Sequence, residues 1–169
     1  MVRLLALLSL VVVAAGCDSG TDGPPPLGQF TAQVSGEIER DLSGDAAFSY
    51  LDVGPERSPV LSITLIDRRT LRQSVGLSDV NGVLEGEGTY GLGIDRDGLS
   101  LLLSVDESGV RTTYAATDGT LEITDLGDDQ IVGAFSAQLA PFPGDFDLTP
   151  TARVEGTFEA VSVESVSRD

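Results

Sequence analysis

The chain has 169 residues, ten arginines, no lysine, histidine or tryptophan, a single cysteine and a formal net charge of −17. Those absences remove whole classes of chemistry: no Ser-His or Cys-His pair, no imidazole or thiolate zinc site, no Schiff base and no phosphate-loop lysine can be assembled. So large an excess of carboxylates also repels nucleic acid and anionic membrane surface, and nucleic acid is not an expected partner.

In chain order, Arg3 precedes an apolar run from Leu4 to Val13 broken only by Ser9, then the small residues Ala14-Ala15-Gly16 and Cys17. This is the layout of a secretory signal peptide, and the run is shorter than the ~20 residues of a membrane span. Cys17 has no disulfide partner, and a lone thiol in a secreted chain asks for another role. The string Ala14-Ala15-Gly16-Cys17 resembles the lipobox of bacterial lipoproteins, with Ala14 where leucine is usual. The resemblance implies cleavage before Cys17, acylation of that residue and a protein that sits on a membrane without crossing it, since two or three acyl chains anchor stably.

The expected division is a signal peptide over 1–16, a lipidated Cys17 and flexible linker over 17–29, and a single β domain over 30–169. The linker consists largely of Asp, Ser, Gly and a proline triplet, which cannot bury a core. Removal of Arg3 leaves nine arginines against 27 carboxylates, a net −18. Acidity without lysine suits a halophilic protein kept soluble in brine. The expected location is the envelope of a Gram-negative bacterium, on the inner or outer membrane and facing periplasm or exterior; Asp18 leaves that choice open.

The body alternates with period two. Phe30/Ala32/Val34/Gly36/Ile38 opens it, and the same signal returns at Leu61/Ile63/Leu65, Leu99/Leu101/Leu103/Val105, Leu121/Ile123, Ile131/Gly133/Phe135/Ala137/Leu139 and Val154/Gly156/Phe158/Ala160. Weaker runs surround Phe48, Val75, Tyr90 and Val110. After Ala160 the phase flips to Val161/Val163, which predicts a bulge there. Turn signals separate the runs at Ser43-Gly44-Asp45, Gly54-Pro55, Asn81-Gly82, Asp97-Gly98, Ser108-Gly109, Asp118-Gly119 and Gly127-Asp128-Asp129. No stretch has helical periodicity with caps. The fold class predicted is all-β: an antiparallel meandering β-sandwich of about 9–10 strands, with a flattened up-and-down β-barrel as the alternative. Ala140 to Asp147 breaks the pattern as a loop of about ten residues, a length at which loops often carry function.

The strings Gly119-Thr-Leu-Glu-Ile-Thr, Ile131-Val-Gly-Ala-Phe-Ser-Ala and Val154-Glu-Gly-Thr-Phe-Glu-Ala resemble the C-terminal hairpins of small uncharacterised lipoproteins of Bacteroidetes and their relatives. The resemblance covers about the last fifty residues and the signal, and implies no reaction.

Gly86-Glu-Gly88-Thr-Tyr-Gly91 matches a dinucleotide-binding string, but β-type sequence follows where a helix N-terminus is needed, and Glu85 and Glu87 repel a pyrophosphate. Asp79, Asn81 and Glu85, with Asp95 and Asp97, place oxygen ligands at alternating positions beside glycines, and are the candidate metal ligands. No cofactor is expected: calcium is the cation such spacing would suit, but Asp and Gly here are first of all the residues that build hairpin turns. Asp125, Asp128 and Asp129, or Asp145 and Asp147, could gather a cation in the same way. Tyr50, Tyr90 and Tyr114 fall in strand-like runs, where packing is the expected role. A paired-carboxylate glycosidase stays open, since Asp and Glu are the acid-base groups left in number, but the chain has no tryptophan for a sugar platform. The expectation is therefore a non-enzymatic, lipid-anchored, monomeric envelope protein serving as a binding or structural module. A cation-dependent adhesion or glycan-binding module and a lipocalin-like carrier of a small apolar ligand are the alternatives.

Overall fold

The computed structural model describes residues 27–51, 59–93, 98–107, 109–142 and 149–163. Cys17, Asp95, Asp97, Asp145 and Asp147, the Gly54-Pro55 turn and most of the linker lie outside them. The described chain is all strand, turn and coil. Its nine strands are β1 (Gly28–Gly36), β2 (Arg40–Leu51), β3 (Val60–Asp67), β4 (Ser74–Asp79), β5 (Gly88–Leu92), β6 (Leu99–Glu107), β7 (Val110–Leu126), β8 (Gln130–Phe142) and β9 (Ala152–Ser162).

The order β7-β6-β4-β3-β2-β1-β9-β8 returns to β7 through the β7–β8 ladder, so eight antiparallel strands close a barrel. The barrel alternative holds and the sandwich does not. Alternation alone could not separate the two, because both architectures send every second residue inward. Closure depends on the 17-residue β7. One edge of β7 pairs with β8 along its length, while the other pairs first with β6 and then with β5. Thus β5 and β6 run in line along the same edge of β7 and are not paired with each other as a hairpin.

Two register shifts bend β7, leaving Thr117 and Thr124 as the extra residues. Each hydroxyl donates to the carbonyl opposite, Thr117 to Gln138 and Thr124 to Val132, both at 3.3 Å. Each bulge also flips the inward phase, from Tyr114 and Ala116 to Leu121 and Ile123, and then to Leu126. The turn expected at Asp118-Gly119 is instead strand following the first bulge. Ser43-Gly44-Asp45 likewise lies inside β2. No bulge falls at Ala160, because the β8–β9 register runs unbroken to Val161. There β9 passes the start of β1 and pairs in parallel with β2 at Ala47 and Phe48, so the neighbour changes and the alternation lapses.

The interior is filled. Leu42, Phe48, Ile63, Leu65, Leu77, Leu101, Leu103, Leu121, Ile131 and Leu139 are almost wholly buried. The repeated Gly-x-Phe strings interlock across the β8–β9 ladder, where Gly133 faces Phe158 and Phe135 faces Gly156. A Cβ on Gly133 would lie 2.9 Å from Phe158 Cζ, and one on Gly156 2.8 Å from Phe135 Cζ. Each ring therefore covers the other strand's glycine, and the rings meet at 6.3 Å.

Alternating strand directions place Gly28, the β4–β5 connection and the β7–β8 turn at one end of the barrel, here the N-terminal end. The β1–β2, β3–β4 and β6–β7 connections form the other, distal end.

Candidate functional site

At the N-terminal end, Asp79 closes β4 with its side chain buried. Its Oδ1 accepts the backbone N–H groups of Asn81 (3.3 Å) and Val83 (3.0 Å), and its Oδ2 accepts that of Leu84 (2.8 Å). This pins residues 80–87 across the barrel mouth, with Val83 and Leu84 packed on the core. Tyr90 Oη donates to the Gly86 carbonyl at 2.7 Å and holds the far side of the plug. The void behind Leu84, walled by Leu61, Ile63, Leu77, Leu99 and Leu121, leaves no room for a water molecule.

The carboxylate of Asp79 is therefore occupied by the backbone donors of its own turn. Asn81 abuts Gly98, whose φ is +101°, and Gly82 turns at +67°. Glu85 lies at the surface of the plug. Asp125, Asp128 and Asp129 are exposed around the β7–β8 turn. Among the described residues no three carboxylates converge into a group able to hold a metal ion. The Gly86-to-Gly91 string enters a strand and meets no helix. Tyr114 is core, and Tyr50 lies edge-on to Phe48 at 6.0 Å.

The distal end carries a feature the sequence reading passed over. All six arginines among the described residues lie at or near it: Arg40 opens β2, Arg68, Arg69 and Arg72 occupy the β3–β4 loop, and Arg111 and Arg153 are each second in their strands. The opposite end exposes Glu85, Glu87, Asp125, Asp128 and Asp129 with no described arginine. The signal was available as Arg68-Arg69-Thr70-Leu71-Arg72, three of the ten arginines within five residues.

This loop is tightly held. Asp67, buried at the end of β3, accepts the Arg69 N–H on its Oδ1 at 2.6 Å, and its carbonyl accepts the Leu71 N–H at 2.9 Å. The backbone N–H of Asp67 donates to the Gln73 carbonyl at 3.0 Å. Arg68 grips Asp45 through Nε at 2.8 Å and through Nη2. Arg72 Nη1 donates to Asp106 Oδ2 at 3.1 Å. At the tip, Leu71 has φ +50° and is 72% exposed. Left-handed backbone costs a leucine roughly 1 kcal/mol, which glycine would avoid.

The Arg72 hydrogen bond, with the Gly109 N–H donated at 2.9 Å to Asp106 Oδ1, holds the Asp106 carboxyl below the usual carboxylate range. A lowered folded-state pKa gives stability that is present above the unfolded value of about 3.9 and lost as pH falls through the folded value. Asp106→Asn should therefore flatten the acid limb of an unfolding-versus-pH curve below about pH 4 while leaving its shape near neutrality unchanged. An unaltered acid limb would show that this pair is not formed in solution.

Two open depressions of about 580 and 520 Å³ lie on the barrel wall around Thr31 and Thr157, walled largely by polar and small side chains. Comparison with family models, with curated proteins and with solved structures finds no match.

Proposed function

We propose that the chain is a lipid-anchored protein of a Gram-negative cell envelope whose barrel is a non-enzymatic, water-facing binding or structural module. The observation that carries this reading is Ala14-Ala15-Gly16-Cys17 after a short apolar run, with Cys17 the only cysteine. Lipidation accounts for that thiol. Two structural features support the rest. The outward residues Thr31, Gln33, Glu155, Thr157 and Glu159 are polar and exposed while the interior is apolar. That is the reverse of a membrane-spanning barrel, whose apolar band faces outward. Among the described residues the interior is packed with apolar side chains, which favours recognition at the ends and the wall over a carrier's cavity.

Expression of the full chain and of Cys17→Ser in a Gram-negative host with labelled fatty acid tests the anchor. The wild-type protein should take up label and sediment with membranes, and Cys17→Ser should do neither. Equal labelling and sedimentation of the two would remove the reading.

A further inference from the structure

We propose that the β3–β4 tip, Arg68 to Arg72, is a docking surface for an acidic polypeptide that places an apolar side chain against Leu71. The inference deepens the binding-module reading and rests on it.

Three observations converge. First, the loop is fixed from several directions, by Asp67, Asp45 and Asp106. Rigid presentation removes the ordering cost that a partner would otherwise meet on binding. Second, the most exposed large apolar side chain among the described residues, Leu71, stands on left-handed backbone where glycine would serve the fold better. A strained residue that contributes little to the core points to use at the surface. Third, the tip offers unspent donors. Arg69 has no carboxylate partner among the described residues, Arg111 lies opposite Asp106 across the β6–β7 ladder and shares its charge with Arg72, and Arg68 and Arg72 each retain guanidinium N–H groups beyond those given to Asp45 and Asp106. Guanidinium forks match carboxylates in pairs, and arginine is enriched where proteins meet.

The partner's chemistry follows from the mixture. Carboxylates answer the arginines, and the central leucine favours a polypeptide with a neighbouring apolar side chain over a sugar acid. A bilayer is disfavoured by the position of the tip, at the end of the barrel opposite Gly28, where β1 begins.

All the described strands and the core they enclose lie within residues 28–163, so a chain beginning at Asp18 carries the described barrel and needs no lipid. Its binding to a poly(Glu,Tyr) copolymer should be measured at low and moderate salt, beside phosphatidylglycerol vesicles and sedimentation of the protein alone. The wild-type barrel should bind the copolymer and lose affinity with salt. Arg69→Ala should weaken binding about fivefold, and Leu71→Gly about tenfold while melting at the same or a higher temperature. Loss of binding in a variant at least as stable as the wild type is a result a folding defect cannot produce. No binding to the copolymer, or binding indifferent to both variants, overturns the proposal. Binding to the vesicles alone overturns it in favour of a membrane, and dimers dissolved by Arg69→Ala overturn it in favour of a second copy. Because Cys17 is absent from this experiment, its failure leaves the anchor untouched, and failure of the Cys17→Ser test leaves this result standing.

Discussion

Replacing Gly44 by alanine is expected to destabilise the barrel by about 3–5 kcal/mol, lowering its melting temperature by roughly 10–15 °C, or to prevent folding. Gly44 lies within β2, opposite Asp67 of β3 on one side and Phe30 of β1 on the other. A Cβ there would lie 2.0 Å from the Ile66 carbonyl oxygen and 2.7 Å from the Arg68 nitrogen, both backbone atoms of the neighbouring strand and its loop. Backbone cannot swing aside like the end of a side chain, so β2 and β3 must part. The parting would also strain the Asp45–Arg68 pair, one residue along β2. Gly76→Ala supplies the contrast, since a Cβ at Gly76 on β4 meets nothing within 4 Å. It should leave stability unchanged or raise it by up to about 1 kcal/mol by restricting the unfolded chain. Thermal melts of the two variants check both halves. A Gly44→Ala melt close to that of the wild type would mean that β2 and β3 do not approach this closely.

The same glycine shows where the sequence could be read and where it could not. Alternation located the strands, because period-two burial is a local property and the core residues from Phe30 to Ala160 follow it. The use made of a glycine is not local. Gly82 and Gly109 take positive φ in turns, whereas Gly44 and Gly119 sit inside strands where another backbone passes close by. Ser-Gly-Asp and Asp-Gly carry no mark that separates these uses. The bulges at Thr117 and Thr124 were equally hidden, since their effect depends on pairing with β8. With them went the choice between sandwich and barrel, which rests on whether the last strands find the first. The Gly-x-Phe strings were visible as motifs, but their reciprocal covering appeared only in the β8–β9 register. At the distal end the arginines were countable in the sequence. The gathering of the six described ones at that end was not, because it requires knowing which connections share it.

Asp79 brings these threads to a measurable question, because the sequence makes it a candidate calcium ligand and the fold makes it the pin of the plug. A cation-binding carboxylate must keep lone pairs for the ion, and calcium requires six to eight oxygens. Asp79 directs both oxygens at three backbone N–H groups within its own turn, and the neighbouring described carboxylates do not close on it. Hydrogen bonds to a charged acceptor contribute more than neutral ones, and Asp79→Ala would leave three partly buried donors without an acceptor. The expected loss is about 3 kcal/mol, or roughly 10 °C in melting temperature. Asp79→Asn keeps a single acceptor oxygen and turns an N–H donor toward the plug, so it should recover only part of that loss. If the carboxylate acts as the pin, wild-type protein should melt at the same temperature in calcium chloride and in sodium chloride of equal ionic strength, and the deficit of Asp79→Ala should be the same in both. A ligand bound only by the native state raises stability by RT ln(1 + [L]/Kd), so a true site would show a saturating calcium gain that disappears in Asp79→Ala. That outcome would require the plug to open and re-form around the ion, exchanging N–H donors for a cation at the one buried carboxylate among the described residues of this end of the barrel.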